Sequence, residues 1–330
     1  MNVKAKALGS MKVRNRDRLI LGGLIGFVLI GLVGLAAATG WEETLEQVRK
    51  LTLIQVLALL ALSLVNYGFR GLRWHMFARR LGLRTGFVQD MRHFLGGLAM
   101  SVTPGRLGEL VRMRWLSRET GASFERTAPL MLVDRATDLA AMALILAVAV
   151  AFSASGIAGA VPVTLAALVG ALIATRASLL RAVSDTAYRI VGRWPRLFVR
   201  IRNAARSLSH FSGPFVMTLA ALIGALGWLA EGYAFYLLLG WMGADTSLAT
   251  AVAIFIFSTL AGGLTGAPGG IGGAEAAMVA LLTLEGVPPQ VSLPATAIIR
   301  LTTLWFAIAI GLVVFPLAEK LSQRDCHAVE

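Results

Sequence analysis

The chain has 330 residues, of which 57% are hydrophobic and 15% charged, and its formal net charge at pH 7 is +13. Soluble domains are usually about 45–50% apolar and about 25% charged, so this composition excludes an ordinary soluble protein and indicates a polytopic membrane protein. In such a protein a basic excess first reports topology, because cytoplasmic loops collect Lys and Arg, and nucleic-acid binding is not expected. The single cysteine, Cys326, excludes a disulfide framework, and no metal or cofactor site is expected.

Six apolar runs approach or exceed the roughly 20 residues that a helix needs to cross a bilayer. They are 19–39, 51–69, 127–150, 158–175, 214–240 and 290–316. Placing the basic clusters inside gives a cytoplasmic N-terminus. The predicted all-α polytopic chain has a basic cytoplasmic segment at 1–18, a transmembrane domain at 19–318, a basic cytoplasmic loop at 176–212 and a tail at 319–330.

The stretch 70–84 mixes arginines with Trp74 and Phe77. This mixture predicts an amphipathic helix that lies on an anionic leaflet, where each basic residue contributes about 1 kcal/mol.

Two further apolar segments, 88–118 and 248–285, are broken by proline and glycine. Unpaired backbone groups in hydrocarbon cost roughly several kcal/mol each, so such a break survives only where protein or trapped water covers it. Basic clusters flank the first segment on both sides, which predicts a re-entrant hairpin from the cytoplasmic face. The second segment follows a span that ends outside, and it would dip in from the opposite face.

The two broken segments share three elements in the same order. The first has GGL at 96–98, PGRLGE at 104–109 and RATDL at 135–139. The second has GGL at 262–264, PGGIG at 268–272 and RLTTL at 300–304. This order favours an inverted repeat, which places substrate sites near the bilayer midplane in many transporters. Chance similarity among glycine-rich apolar segments is the alternative.

The first break gives a hairpin tip that suits an anion. Pro104 lacks an amide hydrogen and stops the incoming half-helix, while Gly105 and Gly108 allow close backbone approach and unusual dihedral angles. The outgoing half-helix presents free amide hydrogens and the positive end of its dipole, and Arg106 adds a full charge. We predict a site for an anion such as a lipid phosphate, with Glu109 in the first turn.

The second break repeats this backbone device without an arginine at the tip. Its residues are Pro268, Gly269, Gly270 and Gly272. Arg300 lies about ten residues into the last predicted span, roughly 15 Å deep, and a charge at that depth needs a partner or a cavity. We predict that it pairs with Glu275, in the first turn after the break, and that the pair contacts substrate. A purely structural ion pair is the alternative.

The third predicted span carries Asp134, Arg135 and Asp138 within two helical turns, so all three can share one face. Such a cluster can relay protons, hold a headgroup or simply be neutralised within the bundle. As a metal site it is weak, because two aspartates four residues apart lack a third acidic ligand nearby. Glu231, in the fifth predicted span, is another intramembrane carboxylate, and its sequence neighbours suggest no partner.

Four motifs resemble a flippase-like transmembrane family, best known from the membrane domain of lysylphosphatidylglycerol synthase. They are TPGRLGELVR, DRATDLA, APGGIGGAEAAMVALL and RLTTLWFAIAIGL, and the resemblance covers about residues 15 to 318. It implies an α-helical inner-membrane protein that moves a lipid or a lipid-linked headgroup between leaflets. The positions that match the family pattern are Arg106, Glu109, Arg135, Asp138, Gly269, Gly272, Glu275 and Arg300.

The sequence departs from the family pattern at two points. Gly273 and Ala274 replace the usual non-glycine residue before the second glutamate. The synthases carry a soluble catalytic domain after the membrane part, whereas this sequence ends about a dozen residues past its last predicted span, so aminoacyl transfer is not expected. Stand-alone relatives are linked to aminoacylated phospholipids, cardiolipin, polyprenyl-phosphate sugars and hopanoids, so the resemblance does not name the lipid.

The leading hypothesis is a flippase or scramblase for an anionic phospholipid, a polyprenyl-phosphate-linked lipid or a hopanoid. Arg106 and Arg300, with the half-helix N-termini, would hold the headgroup. One alternative is an embedded enzyme that acts on such lipids, with Asp134 and Asp138 as catalytic or metal residues. Another is a scaffold that recruits a lipid-synthesis enzyme through its basic loops.

Overall fold

The computed structural model describes residues 46, 49–101, 103, 107–152, 160–191, 211 and 213–326. Over these residues the chain is helical and forms no strand. The helices are α1 (Leu53–Arg80), α2 (Phe87–Gly97), α3 (Leu107–Thr120), α4 (Phe124–Phe152), α5 (Ala160–Thr175), α6 (Ala177–Val191), α7 (Pro214–Trp241), α8 (Leu248–Leu264), α9 (Gly273–Leu284), α10 (Pro289–Arg300) and α11 (Phe306–Cys326). The expected all-α polytopic fold is confirmed.

Four helical stretches of the described chain are long and apolar enough to cross a membrane. They are Leu53–Arg80, Arg126–Phe152, Phe215–Trp241 and Pro289–Gln323. Each coincides with a predicted span. The predicted span at 158–175 corresponds to α5, which has 16 residues. The predicted span at 19–39, the basic segment 1–18 and much of the basic loop at 176–212 lie outside the described residues.

Helix α1 is longer than predicted, and the prediction of a surface helix at 70–84 is wrong. The helix begins at a capping box, in which Thr52 and Gln55 exchange side-chain-to-backbone hydrogen bonds, and it continues without interruption to Arg80. Trp74 and Phe77 are fully buried within the bundle. They are buried because this part of α1 packs against α7 and α4, not against a leaflet.

The first hairpin, residues 87–120, consists of α2, a 3₁₀ turn at Leu98–Met100, and α3. Its two arms run antiparallel. Arg92 and Glu119 meet at the open end, whereas near the break a Cβ at Gly97 would lie 2.7 Å from Arg112 Cγ. Of the residues predicted for its tip, Pro104, Gly105 and Arg106 lie outside the described residues. Gly108 and Glu109 fall in the first turn of α3, as predicted, but their side chains also lie outside the described part.

The second hairpin, residues 248–284, consists of α8, the break and α9. Its arms are in close contact beside the break, because a Cβ at Gly262 would lie 2.7 Å from Ala274 Cβ. Pro268 opens a single 3₁₀ turn. Gly269, Gly270 and Gly272 have φ of 63°, 68° and 85°, a region that disfavours other residues. The predicted backbone break is therefore present.

A single long helical rod connects the two hairpins. Helix α10 packs against α9, and α11 packs against the first hairpin, where a Cβ at Gly311 would lie 2.7 Å from Ala99 Cα. Between α10 and α11 the chain forms one π-helical segment, Leu301–Trp305. The Tyr67 hydroxyl donates a 2.5 Å hydrogen bond to the Thr303 carbonyl within this segment. Such π segments occur frequently at functional sites.

Candidate functional site

A cavity of about 560 Å³ lies where the two hairpins approach each other. The first hairpin contributes Gly97, Leu98, Met100, Ser101 and Arg112 to its wall. The second contributes Phe255, Thr259, Leu260, Gly263, Leu264, Gly269, Gly270 and Ala274. Helices α1, α4, α5, α7 and the rod of α10 and α11 complete the lining. Two segments that the sequence identified by their breaks are thus brought together around one space.

The wall of this cavity is apolar except for a set of charged side chains. They are Arg70, Arg112, Arg135, Arg300, Asp138 and Glu231. When their direct partners Arg73, Asp134 and Glu275 are counted with them, five arginines and four ionised carboxylates leave an excess of one positive charge. In an interior that water cannot easily screen, such an excess favours a negatively charged occupant.

The predicted acidic cluster on α4 is present, and its carboxylates are bound by arginines. Asp134 accepts two hydrogen bonds from Arg73, of 2.7 and 3.0 Å. Asp138 accepts hydrogen bonds from Arg73 at 2.7 Å, Arg70 at 3.0 Å and Arg135 at 3.2 Å. Trp228 adds a fourth donor at 3.2 Å. Asp138 is thus saturated by donors. It fixes the guanidinium groups of Arg70 and Arg135 at the cavity wall and also binds the fully buried Arg73.

Sequence reasoning missed Arg70 and Arg73 because it assigned their stretch to the membrane surface. Arg73 is fully buried, and Gly224 on α7 makes room for it, since a Cβ there would lie 2.5 Å from its terminal nitrogen. The available signal was the 28-residue length of α1. Extending the apolar helix through residue 80 places both arginines, three apart, on one interior face.

Arg112 is a second residue that the sequence did not single out. It is 3% exposed, and its guanidinium lies 4.5 Å from the Phe94 ring centroid and 5.6 Å from that of Trp74. Cation–π contacts of this kind stabilise a desolvated guanidinium by about 2 kcal/mol. They hold the Arg112 guanidinium at the cavity wall.

At the tip of the second hairpin the predicted pair of Glu275 and Arg300 is present. Arg300 Nε donates to Glu275 Oε1 at 2.5 Å, and another Arg300 nitrogen donates to the Gly269 carbonyl at 2.8 Å. The other oxygen of Glu275 accepts the Gly272 amide at 2.7 Å. The amide of Gly272, the residue before α9, is therefore already bound by a carboxylate of the chain itself. The Arg300 side chain also lines the cavity.

The open end of the first hairpin is held by a different set of charges. Glu119 accepts from Arg92 at 2.8 Å and from Gln89, and it lies 2.9 Å from His93 Nε2. Burial raises the pKa of Glu119, but the contacts with His93, Gln89 and Arg92 outweigh it and hold that pKa below its usual value.

A carboxylate of the last helix also holds the first hairpin in place. Glu319 accepts hydrogen bonds from Arg114, Trp115 and Arg118 of α3, at 2.5, 2.6 and 2.7 Å. These contacts fasten α11 to the returning arm of the first hairpin.

The model of the lysylphosphatidylglycerol synthase transmembrane region matches residues 19–311. A UPF0104 membrane protein of Methanothermobacter thermautotrophicus is 26% identical over 329 residues, which is 90% of this chain and 97% of that protein. A further match to a UPF0104 membrane protein of the same organism is 32% identical over 106 residues, about a third of each chain.

Proposed function

The chain belongs to the family of the lysylphosphatidylglycerol synthase transmembrane region, and on that premise we propose that it moves an anionic lipid headgroup between leaflets. The observation that carries this proposal is the meeting of two broken-helix hairpins and four arginines around one cavity. The headgroup would occupy the cavity while the acyl or prenyl tails remain in the bilayer. The chain would act in the plasma membrane with its N-terminus in the cytoplasm.

The dimensions of the cavity support a headgroup as the occupant. Its volume of about 560 Å³ lies within the usual range of small-molecule sites, about 300–1,000 Å³, and leaves no room for long tails. Part of the lining is accessible from outside the bundle, since Leu264 is 78% exposed. An apolar rim of this kind allows tails to lie against the protein while the charged part is inside.

The chemistry of the wall supports a phosphate-containing headgroup. Guanidinium groups bind phosphate oxygens through two parallel hydrogen bonds, and they remain charged when buried. Arg135 and Arg300 each follow a broken hairpin at nearly the same distance in sequence, and both line the cavity. Opposed re-entrant hairpins that bring their tips to the midplane would place these groups where a headgroup must cross.

One feature distinguishes this proposal from the embedded-enzyme alternative. Asp134 and Asp138 are engaged by guanidinium groups, which makes them poor candidates for metal ligands or general bases. The sequence also lacks a G-x-x-x-x-G-K-[ST] motif, so movement would draw on the lipid gradient, the membrane potential or protons.

The test is translocation in proteoliposomes, using headgroup-labelled phosphatidylglycerol and an impermeant quencher. Arg300→Ala and Arg135→Ala are compared with wild type at matched reconstitution, and Arg79→Ala, an exposed arginine at the end of α1, is the control. A lost charge-assisted contact of about 1.5–3 kcal/mol predicts roughly 10- to 100-fold slower exchange for the two cavity variants.

Wild-type rates in both cavity variants would overturn the headgroup site. If wild type accelerates neither phosphatidylglycerol nor a polyprenyl-phosphate lipid, transport of anionic lipids is the wrong function.

A further inference from the structure

Glu231 differs from the other carboxylates around the cavity. It lies in α7, is 5% exposed and lines the cavity. Asp134, Asp138 and Glu275 each accept hydrogen bonds from an arginine. Glu231 makes no hydrogen bond and no ion pair with any residue that the structure describes.

The charged and titratable groups that face Glu231 come from three of the helices packed against α7. Tyr67 and Arg70 lie on α1, Asp138 on α4 and Arg300 on α10. From α8, which also packs against α7, the cavity receives Phe255, Thr259 and Leu260, which carry no charge. The charged groups that lie opposite Glu231 are therefore two arginines and one carboxylate.

Glu231 can be ionised or protonated in this arrangement, and the favoured form depends on whether a headgroup is bound. When no headgroup is bound, an ionised Glu231 offsets the positive charge of Arg70 and Arg300 through the cavity. When a phosphate binds those guanidinium groups, it repels an ionised Glu231. The Glu231 carboxylate is then also a buried charge without a hydrogen-bond donor, which is costly. Protonation removes that cost, because a neutral carboxyl group neither repels the phosphate nor needs an ion pair.

We propose that Glu231 is the proton-binding residue of this site, taking up one proton from the aqueous side when an anionic headgroup binds. This inference rests on the proposed function and adds the coupling of lipid movement to the uptake of a proton. The carboxylate and one proton become a carboxylic acid, and no other bond forms or breaks. A headgroup with one negative charge then crosses together with one proton, so the pair carries no net charge.

Linkage makes this coupling reciprocal. If headgroup binding favours protonation of Glu231, then a lower pH favours headgroup binding by the same free energy. One linked proton corresponds to at most about a tenfold change in affinity for each unit of pH.

The first experiment measures translocation of labelled phosphatidylglycerol from about pH 5 to about pH 9, the range in which a perturbed carboxyl group titrates. Wild type is compared with Glu231→Gln and with Asp245→Asn, an exposed carboxylate in the loop after α7 that serves as the matched control. We expect the wild-type and D245N rates to fall as the pH rises, and the E231Q rate to be nearly independent of pH.

The outcomes separate the two proposals. Lipid movement that is independent of pH in wild type, or equally pH-dependent in E231Q, overturns the role of Glu231 and leaves transport standing. If wild type moves no anionic lipid, the proposed function fails, and the coupling fails with it.

A second measurement does not depend on transport. Infrared difference spectra of wild type and E231Q are recorded with and without short-chain phosphatidylglycerol. The proposal requires a carboxylic-acid carbonyl band that appears on lipid binding in wild type and is absent from E231Q. Binding without that band overturns it, as does an E231Q variant that elutes as a folded protein but binds no lipid at any pH.

Discussion

The two hairpins have similar break motifs in their sequences, but the charge contacts that the structure describes lie at opposite ends. In the second hairpin the charges lie at the tip, where Glu275 joins the Gly272 amide to Arg300. In the first hairpin the described charges lie at the open end and along the returning arm, around Glu119 and Glu319. The same helical rod supplies a partner to each, an arginine from α10 and a glutamate from α11.

This difference shows that a repeated backbone pattern does not imply a repeated electrostatic role. The second tip is held rigidly by an internal ion pair, which presents Arg300 to the cavity at a fixed position. The described anchors of the first hairpin lie at its open end, and its described contribution to the cavity includes Gly97, Leu98 and Arg112. Substitutions in the two hairpins should therefore have unequal effects.

Breaking the tip pair should give the largest effect. In Arg300→Met, Glu275 keeps its charge but loses its guanidinium partner, and breaking a buried pair of this kind costs about 3–5 kcal/mol. The Arg300 and Glu275 side chains are 8% and 12% exposed. Thermal unfolding in detergent measures the loss, and Arg300→Met combined with Glu275→Gln should recover most of the stability but not translocation. If Arg300→Met alone were as stable as wild type, the ion pair would not be what holds the tip.

The matched glycines of the two GGL motifs give a direct comparison. In Gly262→Ala the new Cβ would lie 2.7 Å from Ala274 Cβ and 3.0 Å from the Gly270 carbonyl, neither of which can rotate away. Overpacking of this kind costs about 1–3 kcal/mol. In Gly96→Ala the nearest atoms belong to the Trp115 ring, at 3.1 Å, which needs a smaller shift. Unfolding midpoints in the same detergent should rank G262A below G96A, and the reverse order would contradict the comparison.

Removing the charge of Glu319 should have a smaller effect. Glu319→Gln loses two ion pairs with arginines that are 27–30% exposed, and partly exposed pairs contribute about 1 kcal/mol or less each. We expect faster hydrogen exchange in α3 and little change in α9. Lys320→Gln, an exposed neighbour on the same turn, should leave both exchange rates unchanged. Equal changes in the two hairpins would argue against a local anchor.

The pH dependence of the first hairpin should be the smallest effect. The pKa of Glu119 is lowered in the folded protein, so its stabilising contribution is present above the ordinary glutamate pKa of about 4.3 and is lost as the pH falls through the folded value. The protection of α2 and α3 amides against hydrogen exchange, corrected for the intrinsic exchange rate at each pH, should therefore fall on acidification below about pH 4. Glu119→Gln should flatten this acid response, and an unchanged response would place its origin elsewhere.

The local features of this fold could be predicted from the sequence. Proline and glycine mark the second break, because they remove a backbone donor or permit positive φ, and apolar length marks the long helices. The first break, at Pro104 and Gly105, stays a prediction. The pair of Glu275 and Arg300 also follows from local facts, since a buried arginine needs a partner and the half-helix offers one. The role of this pair in binding a headgroup stays a prediction.

The contacts between distant segments could not be predicted. Glu319 meets Arg114 across 205 residues, and Tyr67 meets Thr303 across 236. No periodicity or spacing encodes such distances, because they depend on how whole helices pack. The placement of Arg73 failed for the same reason, since a basic, aromatic stretch has the same composition whether it covers a leaflet or neutralises two buried aspartates.

The π segment at Leu301–Trp305 determines the relative phase of the two ends of the rod. In a continuous α-helix, Arg300 and Gly311 would face the same side, because eleven residues complete about three turns. The wider π turn unwinds the helix by about a quarter turn, so the two residues face different sides. The rod can therefore pack against two hairpins on different sides. The π turn of five residues sets the angle between those two sides.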